Sequence, residues 1–303
     1  MATHGGRVLN IGVIGLGSIG KRHARNLTNL GHRVYGYDID PSLDGFLCGK
    51  FSDVDELIGS CEAVIIASPT ATHLDYLEKA VLAKKPALVE KPLSDGSLTR
   101  AQLIMSMAKL SSVPVMMGCM LRLHRCVNLT KKFIDGGEIG EILWAQFDVA
   151  QENHKYPDHV ILNWGSHELD LAQHLLGPSH CISSFGNNMI ADVTLLHEKC
   201  RSTIHLDYLT EPEIRTFLVV GEKGNIAVDL PRFQLVIERK DGISSAYDFS
   251  DVEDWDAVYQ FEAIEFLRIA KGGYGPSCAA SGEDGLSVLE ICLDAMKGGN
   301  GHG

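Results

Sequence analysis

The chain has 303 residues, 45% of them hydrophobic and 22% charged, enough to bury one large core or two smaller ones. Its net charge of -12 argues against nucleic acid and anionic membranes as partners, because both are held by Lys and Arg neutralising phosphates. The eight cysteines include no Cys-x-x-Cys pair, so a reducing cytoplasm is expected rather than a zinc knuckle or redox dithiol; without an apolar leader or a membrane-length apolar run, neither export nor a membrane span is expected.

In chain order, residues 8–14 form an apolar, β-branched run that reads as a buried parallel strand. It enters Gly15-Leu16-Gly17-Ser18-Ile19-Gly20, and residues 21–30 read as a helix ended by Gly31. Strand, glycine turn and helix in that order make the dinucleotide fingerprint. Gly15 permits the tight turn, Gly17 lets backbone approach a pyrophosphate and Gly20 allows close helix packing, while the helix N-terminus offers free N–H groups to the anion. A flexible glycine loop is the plainer alternative, so the residues that follow carry weight. Residues 33–38 read as a strand ending in Asp38, where a carboxylate accepts hydrogen bonds from both ribose hydroxyls and repels a 2′-phosphate. Asp40 adds negative charge and no Arg or Lys follows directly, which predicts NAD rather than NADP; alternatively, Asp38 only opens a turn before Pro41.

Residues 63–67 predict a strand running into Ser68-Pro69-Thr70 and a helix through 83. Residues 87–89 predict a strand ending at Glu90-Lys91-Pro92, 98–109 a helix and 113–117 a further strand. This alternation predicts a doubly wound parallel sheet over residues 1–120, an α/β Rossmann domain with its ligand at the carboxyl ends of the strands, where Ser68, Thr70 and Lys91 stand. Past Met120 the texture changes. A helix over 127–134 leads through Gly136-Gly137 into strand-like runs at 142–149, 202–208, 215–220, 225–228 and 234–238, and helices at 255–271 and 284–297 close the chain. Residues 121–303 are expected to form a second domain on an antiparallel or mixed sheet with one face covered.

Within that second part, Asn163, His167, Asp170 and His174 fall on one face at helical spacing, while Trp164, Leu169, Leu171, Ala172, Leu175 and Leu176 bury the remainder. A solvated face would carry Lys and Glu, so the stripe points to a site. His167-Glu168 begins like a zinc-protease helix, but the second His of HExxH would fall at 171, which is leucine. No metal is expected; the metal alternative is His167, Asp170 and His174 around one ion.

These pieces add up to a resemblance. GLGSIGKRHARNL near the N-terminus, ASPTATH at 67–73, VEKPLS at 89–94, GGEIGEI at 136–142 and GSHELDL at 165–171 resemble the glucose-fructose oxidoreductase and inositol dehydrogenase family (Gfo/Idh/MocA) over nearly the whole chain. Glu90-Lys91-Pro92 together with a second-domain His-x-x-Asp is the more specific part. The resemblance implies a Rossmann domain followed by an α+β domain on a large, open, mostly antiparallel sheet, through which homodimers or homotetramers form. It implies NAD held by Gly15, Gly17, Ser18, Ile19, Gly20, Asp38, Ser68, Thr70, His73, Glu90 and Lys91, and a cis peptide before Pro92.

It further implies a dehydrogenase or reductase acting on a CH–OH group of a sugar, cyclitol or nucleotide sugar. Oxidising a secondary alcohol sends hydride to nicotinamide C4 while the hydroxyl gives its proton to a base that titrates near neutrality, and His167 fits that need. Lys91 would stabilise charge on the same oxygen and Asp170 would position the cluster, with Arg122, Tyr156 and Asn163 completing the substrate pocket. The loop 151–162, with His154, Lys155, Tyr156, Asp158 and His159, is expected to help shape it. Two positions depart from the family pattern. Asn163 stands where many of these dehydrogenases carry Asp, removing a charge that favours imidazolium, and Arg122-Leu123-His124-Arg125 replaces the usual Arg-Phe-x-Pro. The His-Glu-Leu-Asp wording is similar to a branch associated with surface-polysaccharide sugars and hints at an amino or nucleotide sugar. Two other readings stand beside the dehydrogenase: a glycoside-processing enzyme that retains and recycles its NAD, and a non-catalytic protein that senses the dinucleotide for a partner. Lys91 and His167 together argue against a sensor, which needs no proton relay.

Overall fold

A computed structural model describes residues 7–45, 47–152, 159–273 and 277–298. They fall into two compact units: the first runs to Gly118 and takes in Tyr259–Leu286, while the second holds Cys119–Val258 and the chain from Ser287 onward. Residues 259–286, expected in the second domain, therefore pack with the first. The reason is apolar: Ala263, Phe266 and Leu267 are buried in one core with Ile11, Val13, Leu27, Val34 and Leu88.

The first unit is a six-stranded sheet in the order β3-β2-β1-β4-β5-β6. Its strands are β1 (Asn10–Ile14), β2 (Arg33–Tyr37), β3 (Gly49–Lys50), β4 (Ala63–Ile66), β5 (Ala87–Glu90) and β6 (Val115–Gly118), all paired in parallel. Helices α1 (Ser18–Asn29), α2 (Val54–Ser60), α3 (His73–Leu82) and α4 (Leu98–Leu110) connect them. Every residue of β4 is fully buried, as a strand covered by helices on both faces requires. Chain order reverses between β1 and β4, which opens the crevice where doubly wound sheets hold ligands. The sequence reading passed over β3 and α2. The strand has two residues, and the short helix is started by Asp53, whose carboxylate accepts from Glu56 N at 2.9 Å.

The second unit is an eight-stranded sheet in the order β14-β13-β12-β11-β7-β10-β9-β8. Its strands are β7 (Ile142–Ala150), β8 (Ser179–Gly186), β9 (Ile190–His197), β10 (Arg201–Asp207), β11 (Ile214–Gly221), β12 (Gly224–Asp229), β13 (Gln234–Arg239) and β14 (Ser244–Asp248). Only β7 and β10 pair in parallel; the other neighbours are antiparallel. One row across the sheet, Val193, Ile204, Phe147, Phe217, Val228 and Leu235, is buried; α6 (Ser166–Leu176) packs on β7 and β10, and α5 (Arg125–Asp135) packs on α6. The next row, Thr194, Thr203, Gln146, Leu218, Ala227 and Val236, is half-buried or exposed. The sheet is therefore open on one side, and α7 (Trp255–Ala270) and α8 (Gly282–Met296) each carry the chain between units.

Burial pushes the thiols of Cys61, Cys126 and Cys181 up to about 11, 12 and 11, which makes them unreactive core residues. Among the described residues no helix is long and apolar enough to cross a membrane.

Candidate active site

In the first unit the glycine turn is shaped by contact. Gly15 has φ +91°, its N–H donates to Tyr37 O (2.9 Å), and a Cβ there would stand 2.6 Å from Ala67 O. A Cβ on Gly20 would stand 1.8 Å from Gly15 O, so α1 can lie this close to the turn only with glycine. Gly17, by contrast, has nothing within 4 Å of where its Cβ would be, and no side chain caps α1. The first amides of α1, Ser18 and Ile19 among them, thus border open backbone, the arrangement a pyrophosphate needs. The helix starts at Ser18, three residues earlier than its sequence pattern suggested, with Gly20 inside its first turn.

Asp38 follows β2. Its Oδ2 accepts from Leu16 N at 2.6 Å and its Oδ1 from Asp40 N at 2.8 Å, so one carboxylate ties the glycine turn to the next loop. Each oxygen retains acceptor capacity for a ribose hydroxyl. Asp38 lines a cavity of about 350 Å³ with Tyr37, Ile39, Pro41, Lys50 and Phe51. Asp40 is turned away into a local loop, where hydrogen bonds from Ser42 hold its carboxyl below the usual range. Lys50 of β3 was not foreseen. Its ammonium donates to the carbonyls of Asp40, Pro41 and Leu43 at 3.2, 2.9 and 2.6 Å, which uses its three donors and leaves none for a 2′-phosphate. The cradle therefore fits NAD.

The remaining first-unit candidates sit after β4 and β5. Ser68 Oγ accepts from Thr72 Oγ1 at 2.8 Å, and Thr70 opens the short 3-10 turn Thr70–Thr72. His73, expected at the cofactor, is buried with Nε2 2.9 Å from Ser68 O and Nδ1 2.8 Å from Pro92 O. It clamps the loop after β4 to the loop after β5, and burial lowers its pKa. Glu90 Oε1 lies 2.7 Å from His23 Nε2, and its Oε2 lies over Gly118, where a Cβ would approach it to 2.9 Å. The Lys91–Pro92 peptide is cis, and Lys91 is half-buried beside it.

The second unit holds the other candidates. His167 and Asp170 lie one turn apart on α6 and are both buried, which rules out a solvated face. Asn163 is not on that helix: residues Ile161–Gly165 form a π-turn ahead of α6, so the even helical spacing assumed from 163 to 174 breaks there. Arg122, expected to bind substrate, grips Asp170 instead, with Nε 3.1 and 2.9 Å from its two oxygens and Nη2 2.7 Å from Oδ1. Glu168, which the sequence offered only as part of an incomplete zinc-protease pattern, is buried and receives Arg215 Nε at 2.8 Å. His124 explains the altered Arg122–Arg125 motif. Its Nδ1 accepts from Cys126 N at 3.2 Å and caps α5, its ring stacks on Phe233 at 4.3 Å, and burial pushes it down to about 4. Tyr156, with His154, Lys155 and Asp158, lies outside the described residues.

A glycine turn that leaves the first amides of α1 open, a carboxylate just past β2 and a doubly wound parallel sheet define a Rossmann-type dinucleotide-binding unit. Residues 9–119 match the family described as oxidoreductase family, NAD-binding Rossmann fold (GFO_IDH_MocA). The inositol 2-dehydrogenase of Klebsiella pneumoniae (strain 342) is 26% identical over an alignment spanning 95% of this chain and 94% of that enzyme. The glucose-6-phosphate 3-dehydrogenase of Bacillus subtilis (strain 168) is 36% identical over 140 residues, 44% of this chain and 40% of that enzyme. In fold, the UDP-N-acetylglucosamine 3-dehydrogenase of Acidithiobacillus ferrooxidans superposes with a TM-score of 0.83 at 21% identity, covering 96% of this chain and 98% of that one. The match to the Gfo/Idh/MocA family of oxidoreductases thus lies in residues 9–119, and similarity to inositol 2-dehydrogenases extends over 95% of the chain.

Proposed function

We propose that the protein oxidises a secondary alcohol of a sugar, cyclitol or nucleotide sugar with NAD, or reduces the corresponding ketone. NAD supplies the nicotinamide carbon that takes or gives the hydride. His167 takes the hydroxyl proton, Lys91 steadies negative charge on the same oxygen, and Asn163 hydrogen-bonds a neighbouring substrate hydroxyl. Arg122 acts at one remove, by fixing Asp170, and Asp170 sets the turn of α6 that presents His167.

The observation that carries this reading is that turn of α6, where a buried imidazole precedes by three residues a carboxylate locked in a two-pronged guanidinium grip. Such an anchor fixes the geometry of a proton carrier, which a dinucleotide sensor does not need. The relatives named as inositol 2-dehydrogenase and glucose-6-phosphate 3-dehydrogenase favour a cyclic polyol. The test is Lys91→Ala and His167→Ala assayed with the polyol that reduces NAD. In His167→Ala NAD affinity stays within about two-fold of the unaltered protein, and in either variant turnover falls by about 10²-fold or more; turnover that survives either change refutes the assignment.

The open sheet face, with Leu218, Ala227 and Val236 across adjacent strands, is assigned to self-association as a homodimer or homotetramer. Light scattering on Leu218→Lys is expected to show a smaller particle than the unaltered protein. An unchanged mass removes this face from the interface.

A further inference from the structure

The first unit buries a charge problem that the cofactor cradle does not account for. Glu262, in the part of α7 that packs with this unit, is fully buried, and neither of its carboxyl oxygens has a hydrogen-bond partner among the described residues. One oxygen of Glu262, one of Glu90 and one ring nitrogen of His23 all lie within 4.8 Å of one another. The groups facing Glu262 are His23 and Arg22 from α1, Glu90 from β5 and Tyr259 from its own helix. Arg22 lies over Tyr259, its Cζ 4.3 Å from the centre of the phenol ring, and Tyr259 in turn meets the edge of His23. Glu90 already has its own partner in His23 at 2.7 Å.

Two ionised carboxylates this close, one of them fully buried and with no donor among the described residues, would cost far more than the fold can supply. We propose that Glu262 is a positioning residue: as a neutral carboxylic acid set against Glu90 and His23, it fixes the end of β5 and with it the peptide that carries Lys91. Three elements meet at this point. α1 brings the phosphate-binding turn, β5 ends in Glu90-Lys91, and α7 brings Glu262 from the far end of the chain. Gly118 leaves the room that lets Glu90 lie there. A proton on Glu262 removes the repulsion that would otherwise push Glu90 away from His23. Burial, followed by the charge of Glu90, drives the acid in this direction, well above its ordinary value. The effect on Lys91 rests on the role proposed for Lys91 above; the protonation of Glu262 does not.

The sign of the pH effect follows from proton counting. In the unfolded chain Glu262 ionises near its ordinary value of 4.5, whereas the folded chain keeps the proton to higher pH. Stability from this group is complete below the ordinary value and declines as pH rises toward the folded value. Thermal melting of the full chain with bound NAD tests it, using Glu262→Gln, which keeps the shape of the neutral acid and cannot ionise. The variant melts with the unaltered protein at about pH 4 and several degrees above it at about pH 8, the gap widening between. NAD affinity weakens toward alkaline pH in the unaltered protein, stays flat in Glu262→Gln, and is lower at every pH in Glu262→Ala, so the conservative variant rescues what the truncation loses. A Glu262→Gln protein that melts below the unaltered one at about pH 8 overturns the proposal, because Glu262 then works as an ionised carboxylate. So does a stoichiometric metal ion in the purified protein that Glu262→Gln loses. Should no polyol reduce NAD, the melting comparison still decides the protonation of Glu262, which separates this proposal from the proposed function.

Discussion

The acids of α6 in the second unit and Glu262 in the first are buried in opposite ways. In the second, each buried carboxylate of α6 is matched to a guanidinium, Asp170 to Arg122 and Glu168 to Arg215. In the first, Glu262 faces another carboxylate and an imidazole, while the nearby Arg22 is held over Tyr259. A charge matched by an opposite charge is insensitive to pH near neutrality but fails badly when one partner is removed. A charge removed by a proton tolerates a neutral substitute and is sensitive to alkali. The proposed division of labour follows the same line: the second unit fixes a proton carrier rigidly, whereas the first must settle its acids beside a cofactor that comes and goes.

The sharpest way to break this comparison is Arg122→Ala. It leaves Asp170 ionised, buried and unmatched, and should cost about 3–5 kcal/mol in urea unfolding. A loss under about 1 kcal/mol would mean that Asp170 has found other compensation and that the guanidinium grip is incidental. The next effect falls on the acid side. Burial holds His124 at about 4, below the ordinary imidazole value of 6.5, so its stability is present above that value and is lost as pH falls through the window between them. His124→Asn keeps an acceptor for the first turn of α5 without a titrating ring. Melting curves should show a shallower loss between about pH 6.5 and about pH 4 in the variant. An identical acid limb would assign the loss to other groups. The smallest shift is the gain expected from Glu262→Gln, opposite in sign and on the alkaline side.

Much of the first unit was legible because its signals are local. The glycines at 15, 17 and 20 follow directly on an apolar strand, and backbone contact dictates the geometry at Gly15 and Gly20. Lys50 was not legible, since its approach to the Asp40–Leu43 carbonyls depends on how β3 returns beside β2. The second unit hid more. Arg122 and Asp170 are 48 positions apart, and an arginine read from sequence gives no sign of whether it will hold a ligand or a neighbour. Helical spacing put Asn163 in line with His167 because periodicity assumes an unbroken α-helix, and the π-turn at Ile161–Gly165 breaks that assumption. Glu262 was invisible for another reason: in sequence it is one acid among several on an amphipathic helix, and only packing shows that it is fully buried. That same packing moved residues 259–286 from the second unit to the first.

The account stands most directly on absorbance at the NADH band when NAD and a panel of inositols, sugar phosphates and UDP-sugars are added to the purified protein. It predicts steady accumulation of NADH with one class of cyclic polyol, abolished in His167→Ala. Cofactor that leaves only on denaturation, with no net NADH from any member of the panel, would contradict it and favour a protein that recycles or senses its dinucleotide.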